Sequence, residues 1–161
     1  MDNLRGITVA FTGHRDYAGE ADYRLRESIM ELYKRGYRRF ESGMAEGFDL
    51  AAAAVVLELK AQLEALELIC VVPYEGHSHS IKHSKELYQR VLSEGDEVVV
   101  LAESYHQGVF HRRNDYLVDN SSYVVAWYNG RQSGTGYTVK RALKRGLKVE
   151  NLFSDAQGTL F

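Results

Sequence analysis

Three short segments of this chain combine glycine with hydroxyl and basic side chains in the way a phosphate site requires. The first is Thr12-Gly13-His14-Arg15. Its glycine permits a tight turn with exposed N–H groups, and the arginine can fork onto a phosphate. The plain alternative is an ordinary turn with a solvated arginine. The second is Ser42-Gly43-Met44-Ala45-Glu46-Gly47-Phe48-Asp49, which opens an alanine-rich run. Gly43 and Gly47 let the backbone approach a ligand, and a helix starting here offers free N–H donors and the positive end of its dipole. Asp49 either accepts ribose hydroxyls or caps the first helical turn. The third is Asn129-Gly130-Arg131-Gln132-Ser133-Gly134-Thr135-Gly136-Tyr137-Thr138. Ser133, Thr135 and Thr138 supply hydroxyls there, and Gly134 and Gly136 supply unhindered N–H groups, chemistry suited to a phosphate. It is neither a Walker A loop nor the usual dinucleotide fingerprint.

These segments must be held by elements that the apolar pattern outlines. Strands are expected at about Ile7 to Phe11, Arg38 to Glu41, Leu68 to Val72, Val98 to Leu101, Tyr123 to Trp127 and Lys148 to Leu152. Between them, Leu25, Ile29 and Leu32 recur at helical spacing. Leu50, Ala54, Leu57 and Ala61 mark a second helix, and Leu87 and Val91 a third within about Lys82 to Ser93. A fourth runs over about Arg112 to Asn120, and Val139, Ala142 and Leu143 place the last. Lys34-Arg35-Gly36 and Lys144-Arg145-Gly146 both read as a basic last turn, a glycine stop and the next strand. Alternating strands and helices need crossover connections, hence an α/β fold: a Rossmann-like, three-layer αβα arrangement with a mainly parallel sheet covered on both faces. The loops after the strands then gather at one sheet edge, where such sheets bind ligands. One proline and no low-complexity tract leave no linker, so one domain is expected over residues 1–161.

The bulk composition excludes several roles. A net charge of -2 gives no overall basic field, which disfavours nucleic acid as a partner. No apolar run approaches the roughly 20 residues needed to span a bilayer. Met1-Asp2-Asn3-Leu4-Arg5 leads straight into the first strand with no signal-peptide core, so a cytoplasmic protein is expected. The single cysteine, Cys70, lies in the apolar run from Leu68 to Val72 and reads as a core thiol. His77, His79 and His83, with His106 and His111 farther on, lack a cysteine partner and read as surface histidines rather than a zinc site. Neither a metal nor a cofactor is required. Lys140, Arg141, Lys144, Arg145 and Lys148 read as a solvated face near a helix C-terminus. Trp127 and Tyr128 either stack on a base beside the third loop or fill the core.

The three glycine segments, in this order and on matching elements, resemble the SLOG superfamily and most closely its YpsA-like family. The superfamily joins the DNA-processing protein DprA to the LOG phosphoribohydrolases that activate cytokinins. The similarity spans about residues 7 to 150. It implies a Rossmann-like nucleotide-binding fold without an agreed activity. LOG enzymes carry an arginine on the helix before the fifth strand, which Arg113 matches. They also carry a glutamate after the glycine-threonine turn, where this chain has Gly136-Tyr137-Thr138. Cleaving an N-glycosidic bond needs a group that stabilises the oxocarbenium ion or activates water. Only Glu46 or Asp49, or Asp115 on the helix of Arg113, is available to substitute.

The first expectation is thus a receptor or sensor for a nucleotide or a derivative of the ADP-ribose type. The runner-up is an N-glycosidase or other nucleotide hydrolase using Arg113 with Glu46 or Asp49. A third, single-stranded DNA binding of the DprA kind, needs a basic stripe and stacking aromatics. The sequence leaves a homo-oligomer open.

Overall fold

The computed structural model describes residues 4–155 and 158–159. A 3-10 turn, Leu4–Ile7, leads into β1, Thr8–Gly13. There follow α1 (Asp22–Lys34), β2 (Arg39–Ser42), α2 (Phe48–Leu59), β3 (Glu67–Val72) and, after a second 3-10 turn at His77–Ser80, α3 (Lys85–Glu94). The second half runs β4 (Glu97–Val100), α4 (Val109–Asp119), β5 (Tyr123–Trp127), α5 (Gly134–Lys144) and β6 (Lys148–Asn151). A short antiparallel pair, β7 (Ser154–Asp155) and β8 (Gly158–Thr159), ends the described chain. The first six strands form one all-parallel sheet in the order β4-β3-β2-β1-β5-β6.

Alternation along each strand builds two cores. Val9 and Phe11 of β1, with Tyr123, Val125 and Trp127 of β5, face α1, α2 and α3. Ala10, Val124 and Ala126 face α4 and α5 through Leu117, Val118, Val139 and Ala142. The result is a Rossmann-like, three-layer α/β fold. Phe11 stacks on Phe40 at 5.8 Å, and Phe48 and Tyr17 close the cluster edge-on. Trp127 belongs to this core, between Tyr17 at 4.9 Å and Phe153 at 5.3 Å. It fills space there and offers no ring to a ligand.

The chain moves outward from β1 through β2, β3 and β4, then α4 carries it back across the sheet to β5 on the other side of β1. This reversal makes the carboxyl ends of β1 and β5 the switch point at which open α/β sheets form crevices. Gly13 and Trp127 are register partners at that edge. Gly13 lies against the first turn of α2, where an added Cβ would meet Phe48 at 2.4 Å. β1 can end this close to α2 only as glycine.

Several boundaries differ from the sequence reading for physical reasons. Residues 4–7 turn rather than extend, so Ile7 precedes the strand; residues 1–3 lie outside those described. α3 starts at Lys85, not Lys82, because the Glu46 carboxylate accepts the N–H groups of Lys82 and His83. α2 has no single buried stripe: it touches the sheet, α1 and α3, and buries Ala52, Ala53, Val55, Val56 and Leu59, with Ala54 and Leu57 half-buried and Ala61 beyond its end. β4 is an edge strand with Val98 and Val100 exposed, so burial on both faces holds only for the inner strands. Leu143 is exposed on α5 as well.

β2 buries a carboxyl group. Glu41 shares the α4 side of the sheet with Arg39, whose guanidinium is drawn to Glu67 and Glu97 at 3.1 Å each. Among the described residues, Oε1 of Glu41 has no hydrogen-bond partner. Burial, helped by nearby Glu97 and opposed by Arg39, holds its pKa well above the usual carboxylate range. A carboxyl raised on folding favours the native state below its unfolded pKa of about 4.3, and that contribution is lost as pH rises through the folded value. Glu41→Gln should therefore raise Tm, by a margin that widens from pH 5 to pH 8. Thermal melts across that range check it, and a margin independent of pH would contradict it.

Candidate functional site

His14 joins the three glycine segments. Its carbonyl accepts the N–H of Phe48 at 3.2 Å, and its Nε2 accepts the N–H of Asn129 at 3.0 Å. The second bond requires a neutral ring protonated on Nδ1. Burial, and then Arg131, lowers the His14 pKa and favours that form, although Asp16 and Asn129 oppose them. His14 is buried, so it shapes the site more than it offers a free ligand group.

The second segment folds around Asp49. Ser42 Oγ donates to the Asp49 carbonyl and accepts the Met44 N–H, closing a turn in which Met44 is left-handed at φ 69°. Such backbone in a non-glycine residue costs on the order of 1–3 kcal/mol and persists where surroundings fix it. Here the fully buried Met44 side chain does so. The Asp49 carboxylate accepts N–H groups from Ala45 and Gly13 and lies beside Arg113. Burial pushes its pKa up to about 6, against the pull of Arg113, the Ala45 N–H, Arg15 and the Gly13 N–H.

Arg113 comes from α4 and is itself buried. Its Nε donates to Asn114 Oδ1 at 2.9 Å and its Nη1 to the Gly43 carbonyl at 2.8 Å. Position 43 must be glycine for this approach, since a Cβ there would sit 2.6 Å from Arg113 Cδ and 3.0 Å from Asp49 Oδ2. Nη2 is the nitrogen without a hydrogen-bond partner among the described residues. Phe110, three residues earlier on the same helix face, lies under the guanidinium groups of Arg113 and Arg15 at 5.5 and 5.8 Å.

The third segment is an Asx turn and a helix cap. Asn129 Oδ1 accepts the Arg131 N–H, and Gly130 turns at φ 92°. Ser133 caps α5, its Oγ accepting the Gly136 N–H at 3.1 Å. The N–H groups of Gly134 and Thr135 keep no partner among the described residues. Thr138 instead donates to the Gly134 carbonyl inside the helix, and Gly136 packs on Tyr128.

Thr12, Gly13, His14, Arg15, Asp49, Arg113, Ser133, Gly134 and Thr135 line one cleft of about 340 Å³. Phe110, Asn114, Ala45 and Arg131 complete it. Ser42, Gly43, Gly47, Asn129, Gly130, Gly136 and Thr138 do not line it; Gly47 and Gly136 line neighbouring clefts instead. Glu46 is placed apart: it lines a neighbouring cleft of about 520 Å³ across Arg15 and holds the turn before α3. Asp115 is taken by Tyr137 and Arg141. Phe110 carried a usable signal, its i−3 spacing from Arg113; the contribution of Arg131 depends on the turn and had none.

One histidine departs from the sequence reading. His77 is buried, not on the surface, with Nδ1 3.0 Å from Tyr88 Oη. Burial pushes its pKa down to about 4, with Arg113 and Arg15 adding to the shift. His79, His83, His106 and His111 are exposed, and no three metal-ligating side chains cluster among the described residues. Among those residues no helix is long and apolar enough to cross a membrane.

The fold is shared with two DNA-processing proteins. DprA from Streptococcus pneumoniae superposes with a TM-score of 0.65 at 20% identity over 91% of this chain and 50% of its own. DprA from Helicobacter pylori, whose structure was described for its single-stranded DNA binding mode, gives 0.65 at 19% over 89% and 63%. In sequence, the chain is 28% identical over 135 residues to an uncharacterized SPbeta prophage-derived protein, YoqJ, of Bacillus subtilis, covering 75% of this chain and 79% of the relative. It is 29% identical over 121 residues to a UPF0398 protein of Bacillus cereus, covering 69% of this chain and only 65% of that relative's length. The YpsA family model, described as the YspA SLOG family, matches residues 10–152. This chain therefore belongs to the YspA SLOG family.

Proposed function

We propose that the cleft between β1, α4 and α5 binds the phosphate of a nucleotide or nucleotide derivative, and that the protein acts chiefly as its receptor. The supporting observation is that two arginines and the open end of α5 meet in one space. Arg15, Arg113 Nη2 and the N–H groups of Gly134 and Thr135 surround it. A helix N-terminus with unused donors beside one fixed and one exposed guanidinium group is suited to an anion. Arg131 adds positive charge at the rim, where it also meets Asp16.

A second reading, N-glycoside hydrolysis, is favoured by Asp49. This carboxyl group lies in the cleft beside Arg113, the pairing that cleavage needs. Two backbone N–H groups already use it, which also makes it a structural clasp for the loops. Single-stranded DNA, suggested by the DprA neighbour, needs a continuous basic path. Arg141 and Arg145 of α5 are instead paired with Asp115 and Asp119, which weakens that reading.

Two outcomes are expected. Arg15 is exposed and its side chain makes no hydrogen bond or ion pair among the described residues, so Arg15→Ala should weaken AMP binding in calorimetry by roughly 10- to 150-fold, from about 1.5–3 kcal/mol for a charge-assisted bond. Lys144→Ala, on the outer face of α5, should leave affinity unchanged. Equal affinity in wild type and Arg15→Ala would remove the first loop from the site. Secondly, chromatography after incubation with AMP should detect no free adenine. Base release that rises with pH through about 6, as Asp49 ionises, and vanishes in Asp49→Asn would instead establish the hydrolase.

A further inference from the structure

The aromatic side chains at the same sheet edge form a run that phosphate binding does not use. Tyr74 follows β3, Tyr105 lies in the β4–α4 connection, and Phe110 belongs to the first turn of α4. Their ring centroids are 5.6 Å apart for Tyr74–Tyr105, 6.2 Å for Tyr105–Phe110 and 6.3 Å for Tyr74–Phe110. His77 supports Phe110 from below at 6.2 Å and Tyr74 at 5.4 Å. The two loops are tied by the Glu75 N–H donating to the Ala102 carbonyl at 2.9 Å. The rings are therefore held by neighbours and do not hang from free loops.

Exposure rises along the run. His77 is buried, Tyr74 and Phe110 are half-buried, and Tyr105 is 60% exposed. Phe110 lines the cleft with Arg15 and Arg113 over its ring, so the run begins beside the phosphate donors and ends in solvent. The run thus carries an aromatic surface from the cleft out to solvent, the arrangement that a stacking base would use. Every nucleobase has a π-face that stacks on such rings, and a guanidinium beside them adds to the attraction.

We infer that Phe110 and Tyr105 form the nucleobase subsite of a small nucleotide whose phosphate lies in the adjoining cleft. The inference rests on the phosphate reading above and adds the base as a second recognised group. Tyr105 is the specificity residue: it rewards a ligand with an aromatic base over a sugar phosphate without one.

The test titrates wild type, Tyr105→Ala and Tyr105→Phe with AMP and with ribose 5-phosphate. Wild type should bind AMP about 5- to 100-fold more tightly, the equivalent of stacking one base. Tyr105→Ala should lose most of that advantage while its ribose 5-phosphate affinity stays unchanged, and Tyr105→Phe should keep the advantage. Equal affinities for the two ligands in wild type would overturn the base subsite and leave the phosphate site standing. Failure of both ligands to bind wild type would overturn the phosphate reading and the base subsite together. Binding of an oligothymidylate tighter than AMP, lost in Tyr105→Ala, would overturn the small-nucleotide assignment in favour of a strand.

Discussion

The buried guanidinium of Arg113 is the constraint on which the site depends. A cation removed from water must be met by an anion and by acceptors, or the fold bears several kcal/mol of unrelieved desolvation. α4 carries Arg113 in from the second half of the chain; Asp49, the Gly43 carbonyl and Asn114 receive it. From that follow a glycine at position 43, a turn tight enough to put Met44 in the left-handed region, and a carboxylate at the start of α2. The Asp49 carboxylate also accepts the Gly13 N–H, which ties the start of α2 to the end of β1.

His14 completes this arrangement from the other side. It bonds α2 through its carbonyl and the Asn129 turn through its ring, which sets the distance between the second and third segments. Ser133 then uses its hydroxyl on the Gly136 N–H and leaves the N–H groups of Gly134 and Thr135, two residues that line the cleft, without a partner among the described residues. The polar groups of the segments thus divide into two kinds. Ser42, Asn129, Ser133 and Thr138 are consumed by the backbone. Arg15, one guanidinium nitrogen of Arg113 and the N–H groups of Gly134 and Thr135 are not consumed in this way among the described residues.

Much of this was legible in the sequence because it follows from short-range rules. β5 was read at its observed bounds, Tyr123 to Trp127, and Gly36 and Gly146 do stop their helices at positive φ. The division of labour among the hydroxyls was not legible, since Ser133 as a cap and Ser133 as a phosphate ligand have the same spacing. Glu46 looked equivalent to Asp49, three residues apart at one helix start. The fold separates them because Asp49 turns inward to Arg113, while Glu46 turns to the N–H groups of Lys82 and His83. That choice depends on the segment before α3 lying beside Glu46, a tertiary fact. The Tyr74, Tyr105 and Phe110 run was hidden for a similar reason: its members are brought together only by the parallel pairing of β3 with β4.

The most direct measurement is a 1H–15N correlation spectrum followed during titration with AMP. The amides of Gly13, Gly134 and Thr135 should shift most, and those of Tyr137 to Lys144 on the rest of α5 should shift little. Largest shifts at Glu46, Gly47 and His83 would instead put the ligand in the neighbouring cleft and contradict the placement of the phosphate between Arg113 and the start of α5.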